Sequence, residues 1–133
     1  LNNMEYKTIE TEIVRNKNNV QFYELELDGK RLFSEFHENL IDANDKKKFT
    51  AVVALMDNFS FNQRLPDKLF RQIKNIDRND VYEFKKANLR IYVIMQKPNM
   101  FIIIGGYKTN QQKDIEKIDR YTKRLPEILT IQK

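Results

Sequence analysis

Apolar positions recur along this chain with two different periods, and the places where the period changes mark out its elements. From Val20 to Leu27 (VQFYELEL) the pattern alternates. Tyr23, Leu25 and Leu27 fall on one face and Glu24 and Glu26 on the other, as in a half-buried strand. The stretch Asn16 to Asn19 (NKNN) before it is a turn signal, and Tyr6 to Val14, polar with β-branched residues at intervals, is a candidate hairpin partner. Asp28-Gly29 closes the strand. From Lys30 to Ile41 the period becomes helical, with Leu32, Phe33, Phe36, Leu40 and Ile41 in one stripe. A second helix, with Asp45 as its N-cap, runs to about Phe59 on a stripe of Phe49, Val52, Val53, Met56 and Phe59. The short link Asp42 to Asn44 predicts that these two helices form an antiparallel hairpin. Proline suits the first position of a helix, so Pro66 to Asn75 is read as a short third one.

Beyond Asp77 to Asp80 (DRND) the strand period returns in Val81 to Lys86, Leu89 to Gln96 and Met100 to Tyr107. Ala87-Asn88 and Lys97-Pro98-Asn99 are short enough for hairpin loops, which predicts an antiparallel meander. Thr109 and Gln112 have the spacing of a capping box, marking a final helix whose buried face is Ile115, Ile118, Tyr121, Leu125 and Ile128, with Pro126 ending or kinking it. The expected fold is α+β: a small antiparallel sheet with the helices packed together on one face and the other face left partly open. No repeat or linker divides the chain, so residues 1–133 are read as one domain, 1–19 being an additional strand or extension.

Composition narrows the classes. The absence of cysteine excludes disulfides and thiolate metal sites, and a single histidine, His37, excludes a site built on several imidazoles. His37 sits beside Phe36 as a surface or boundary residue. The longest apolar run, MFIII, is too short to cross a membrane, and LNNMEYKTIE lacks the apolar core of a signal peptide, so a cytoplasmic protein with no membrane partner is expected. Leu1 suggests a trimmed start. The net charge of +5, from 24 Lys and Arg against 19 Asp and Glu, raises the expectation of an anionic partner, either nucleic acid or an acidic protein.

The residues able to carry chemistry gather at strand ends. Lys85 and Arg90 flank the two-residue turn Ala87-Asn88 and should lie close, which is either a solvated strand end or a pair of cations awaiting an anion. Gly105-Gly106 interrupts an apolar strand, as at a bulge or a close backbone approach. Tyr107 and Lys108 follow just before a helix N-terminus, where free N–H groups suit phosphate and a tyrosine can stack on a base or exchange a proton. Lys46, Lys47 and Lys48 are either a solvated charge run or an RNA contact, and Lys86 is a further candidate of the same kind. Asp114, Glu116 and Asp119 are read as partners of Lys113, Lys117 and Arg120 rather than as metal ligands. The chain has no Walker loop, dinucleotide fingerprint or paired zinc ligands.

In their order and spacing VYEFKK, LRIYVIM and FIIIGGYKTNQQKDIEKIDRYTKRL resemble the C-terminal half of RelE/ParE-superfamily toxins, and within it the HigB-like, phage-derived Gp49-like proteins. Tyr82-Glu83-Phe84-Lys85 stands at the family's "YELR" strand, Arg90-Ile91-Tyr92 at the strand opening with arginine and aromatics, and Gly106-Tyr107-Lys108-Thr109 at its "GF.KK" turn. The likeness covers residues 28 to 125 and starts weakly at DGKRLFSEFHENL. It implies a type II toxin that cuts messenger RNA on the ribosome, needs no metal or cofactor, and has a cognate antitoxin as partner. The reaction would be attack of a ribose 2′-OH on the adjacent phosphate. Lys85 and Arg90 would stabilise charge, Tyr107 and Lys108 would stack or move protons, and Lys86 and Glu83 would be lesser contributors. The chain departs from the pattern in three places. Its tail, LTIQK, has neither histidine nor tyrosine, the segment before the strand of Lys85 is longer, and the first twenty residues have no counterpart. The competing expectation is a non-enzymatic protein on the same fold, such as a gyrase-directed ParE-like toxin or an inactive relative.

Overall fold

The computed structural model describes residues 3–132; Leu1, Asn2 and Lys133, which the sequence reading includes in the domain, lie outside the described residues. Two strands, β1 (Tyr6–Glu10) and β2 (Gln21–Leu27), lead into two helices, α1 (Leu32–Glu38) and α2 (Ala43–Asn58). A three-residue strand β3 (Phe70–Gln72) follows. Then come β4 (Val81–Lys86), β5 (Leu89–Gln96) and β6 (Asn99–Tyr107), a 3₁₀ turn (Lys108–Asn110) and α3 (Gln111–Thr122). The strands form one six-stranded sheet in the order β1-β2-β6-β5-β4-β3. The α+β class and the β4–β6 meander are as expected, but the sheet is mixed rather than antiparallel, because β2 runs parallel to β6. No described helix is long and apolar enough to cross a membrane.

The helices do not share a face. Phe33 of α1 and Phe49, Val52 and Met56 of α2 pack with Phe22, Phe84, Ile91 and Ile102 on one side. Ile118 of α3, with Leu125 and Leu129 beyond it, packs with Tyr92, Ile94, Phe101 and Ile103 on the other. The face expected to be open is therefore covered. The reason lies in β5 and β6, which are buried along both alternations (LRIYVI and MFIII), so each face needs its own cover.

Local chemistry accounts for the other departures. Asp42, not Asp45, caps α2, its side chain accepting from the amides of Asn44 and Asp45. Lys46, Lys47 and Lys48 thus stand one turn further in, which lessens their conflict with the helix dipole. Arg31 gives α1 no side-chain cap; instead Glu24 of β2, a buried carboxylate, accepts from the Ser34 amide (2.6 Å) and hydroxyl (2.7 Å). The segment from Pro66 is a turn closed by Leu69 and Phe70 amides on the Pro66 carbonyl, and it then extends as β3 against β4. Thr109 and Gln112 make no capping box, since Gln112 donates to Glu116 instead. α3 ends at Thr122, and beyond it Leu129 is buried while Ile128 is exposed. Ile41 is exposed as well, because α1 has ended by Glu38.

Candidate anion site

The turn between β4 and β5 sets the site. Ala87 takes a left-handed φ of 53°, and the register then pairs Lys85 with Arg90 and Glu83 with Tyr92. On the other side of β4, Arg71 of β3 pairs with Glu83. Strand parity puts Arg71, Glu83, Lys85, Arg90 and Tyr92 on the face that α3 covers.

Glu83 is the hub and is completely buried. One carboxylate oxygen accepts from Arg71 Nη2 (2.9 Å) and Nε (3.2 Å); the other accepts from Gln111 Nε2 (2.7 Å) and faces Arg90 Nε at 3.5 Å. Arg90, also buried, turns its Nη1 back onto the carbonyls of Ala87 (2.8 Å) and Leu89 (2.9 Å). Three cations thus surround one carboxylate. Partial burial, then the charge of Arg71, and more weakly Arg90, lower the Lys85 ammonium pKa from its ordinary value; Glu83 acts in the opposite direction.

Beneath the first turns of α3 the corner is short of partners. Among the described residues, the buried side-chain polar atoms with no hydrogen-bond partner are Asn88 Oδ1, Arg90 Nε, Tyr92 Oη and Asp114 Oδ2. All four sit where the ends of β5 and β6 meet α3. Burial, followed by the charges of Glu83 and Asp114, pushes the Tyr92 hydroxyl well above the usual range, with Gln111 acting the other way. Burial also raises Asp114, opposed by Lys117. Asp114 is therefore not the surface salt-bridge partner its spacing suggests. Its carboxylate lies against Gly106, where any Cβ would collide with it. Gly105 is held in the same way from the opposite face by the Phe36 ring, so both glycines serve close approach. The bulge itself falls earlier, at Ile103, between the pairs Tyr92–Ile104 and Val93–Ile102.

Tyr107 does not join Arg90. It lies on the α1/α2 face, its ring 5.5 Å from Phe36, its hydroxyl donating to Asp45 Oδ2 (3.1 Å). Burial and that carboxylate raise its pKa. Asp45 also faces Lys48 at 3.9 Å, so Tyr107, Asp45 and Lys48 form a second group. Lys46 and Lys47 project from α2 into solvent, and Lys86 is exposed beside Ala54, Leu55 and Asn58 of that helix. Lys108 is exposed near the β4–β5 turn, its amide donating to the Asn88 carbonyl (2.7 Å). His37 is an exposed residue whose ring stacks on Phe49 at 4.6 Å. The structure thus brings Lys85 and Arg90 together as predicted and adds Arg71, Gln111, Tyr92 and Asp114 to them. Of these, Tyr92 was within reach of the parity argument, while Arg71 was hidden by reading its segment as a helix.

Comparison of the chain with protein-family models, curated proteins and solved structures finds no match.

Proposed function

We propose that this protein is an RNA-cutting toxin of the RelE type, acting on messenger RNA at the ribosome and restrained by an antitoxin. The observation that carries the reading is the concentration of Arg71, Lys85 and Arg90 around one carboxylate at the β4–β5 turn. The order of elements from β2 to α3, strand, two helices, meander and helix, supports it; β1 and β3 extend the sheet on either edge.

Cleavage of RNA through its own 2′-hydroxyl needs a base for that hydroxyl, positive charge at the five-coordinate phosphorus and an acid for the departing 5′-oxygen. As the O2′–P bond forms and the P–O5′ bond breaks, a 2′,3′-cyclic phosphate and a 5′-hydroxyl result, the 2′ proton passing to the base and the acid supplying the proton on O5′. Lys85, with its depressed pKa, is suited to take the 2′ proton, and Arg71, half exposed, to meet the phosphate oxygens. Arg90 is a positioning residue: it is buried, and it acts by holding Glu83 and the turn. Lys108, exposed and tied to the turn through its backbone amide, is assigned the proton for the leaving oxygen.

The test is a cell-free translation reaction with purified protein, mapping the 5′ ends of the message, alongside Arg71→Ala, Lys85→Ala and Arg90→Ala. New discrete ends that disappear with Lys85→Ala and Arg71→Ala uphold the reading. An intact message with normal translation removes it. That outcome favours the non-enzymatic alternative, to which one observation already points: Tyr107 is turned away from Arg90 onto Asp45, and the tyrosine that does stand with the cations, Tyr92, is fully buried.

A further inference from the structure

We infer that the groove between the end of α2 and β3 binds single-stranded RNA through its bases. For its ligand class the inference rests on the RNA reading above, but not on cleavage. The groove encloses about 600 Å³ and lies at the sheet edge, between the loop after Phe59 and β3. That is ample for one or two nucleotides.

Its walls are aromatic. Phe70 and Tyr82 stack with centroids 5.0 Å apart and planes within 5°, and Phe61 stands edge-on to Phe59 at 5.2 Å. Phe61, Phe70 and Tyr82 are each only half-buried, so part of each ring is accessible. The rim is cationic: Arg64, Arg71 and Lys74 line it against the single carboxylate of Asp67, and Lys97 hangs 5.3 Å from the Phe61 centroid. Flat π-surfaces with cations between them are what a single-stranded nucleic acid uses, bases on the rings and phosphates on the charges. An acidic peptide would engage the cations and leave the rings idle. Strand addition is also poorly served, since β3 offers only three residues of edge. The groove is separate from the anion site: Phe61, Phe70 and Tyr82 stand on the α1/α2 face of the sheet, whereas the Arg71 guanidinium reaches Glu83 (2.9 Å) on the face that α3 covers.

The experiment is fluorescence anisotropy with a 5′-labelled oligouridylate hexamer, at about 50 and 200 mM salt, on the parent, Phe61→Ala, and the pair Arg64→Glu/Lys74→Glu. Melting curves accompany it, and because Arg64 and Lys74 are exposed the charge pair keeps its fold even if Phe61→Ala does not. The parent is expected to bind, Phe61→Ala to bind about tenfold or more weakly, and the charge pair to bind weakly with a flatter salt dependence. Parent-like binding by both variants overturns the site, as does no binding by the parent. Displacement of the hexamer by a polyglutamate peptide at equal potency also overturns it, and makes the groove a site for an acidic protein. Message cutting with parent-like hexamer binding in both variants defeats the groove alone. Hexamer binding lost in the variants without any message cutting upholds the groove and defeats the nuclease.

Discussion

Replacing Glu83 with alanine tests the corner most directly. The carboxylate is fully buried, and the Arg90 side chain it faces is only 8% exposed, so the substitution strands a charge in the interior. Breaking a buried pair in this way costs about 3–5 kcal/mol. Arg90 keeps its two bonds to the Ala87 and Leu89 carbonyls, which places the loss near the lower end, about 3 kcal/mol. Arg71, with half its side chain in solvent, adds less than about 1 kcal/mol. For a chain of 133 residues the unfolding entropy converts this to a Tm lowered by about 10 °C. Circular-dichroism melts and urea titrations at neutral pH measure it. Glu83→Gln, which keeps an acceptor, should fall between parent and alanine. The double change Glu83→Leu with Arg90→Met, which removes both charges, should recover most of the stability while abolishing any RNA cutting. A Glu83→Ala melt within about 3 °C of the parent, or a double variant no better than the single one, would refute the argument that this ion pair holds the corner.

Further outcomes follow from the same geometry. Gly105→Ala drives a Cβ into the Phe36 ring and should cost about 1–3 kcal/mol by urea titration, much of it recovered when Phe36→Leu is added. Asp114 has a folded pKa above its unfolded one, so the stability it contributes is present at low pH and lost as pH rises through that folded value. Asp114→Asn should therefore match the parent in acid and exceed it in stability at neutral pH, read by urea titration at the two pH values. Lys85 has a folded pKa below its unfolded one, and its penalty is relieved as pH rises past that folded value; NMR titration of its Nζ should show the depressed midpoint, and Arg71→Ala should move it upward. Tyr107→Phe removes the bond to Asp45 and should cost about 0.5–1.5 kcal/mol with little effect on the anion site, read by melting and by Lys85 chemical shifts.

Much of the fold was legible because local signals and burial agree. Alternation marks β2, hairpin spacing marks β4 to β6, and a helical stripe marks α2. The errors arise where a residue's partner lies far away in sequence. Pro66 looks like a helix start, but the strand that recruits Phe70 and Gln72 is β4, and no local period announces that pairing. β5 and β6 are buried along both alternations, which calls for a cover on each face, but one alternation of β5 carries Arg90 and Gln96 and so reads in sequence as a polar face. At the site, the turn length made the nearness of Lys85 and Arg90 readable. The direction of Tyr107 was not, because it follows from strand parity after a bulge at Ile103 that only the paired register reveals.

The parallel pairing of β2 with β6 has a consequence for the order in which the chain folds. Gln21 and Asn99 are separated in sequence by both helices and by β3 to β5, so the hairpin of β1 and β2 cannot complete its place in the sheet until the last strand, β6, exists. Contacts between such distant segments carry a large loop-closure entropy and form late. The meander can assemble from neighbours in sequence, whereas β2 docks onto its finished edge. Until then the β6 edge presents unpaired backbone, and a partner that reaches the nascent chain first would find its pairing edge open.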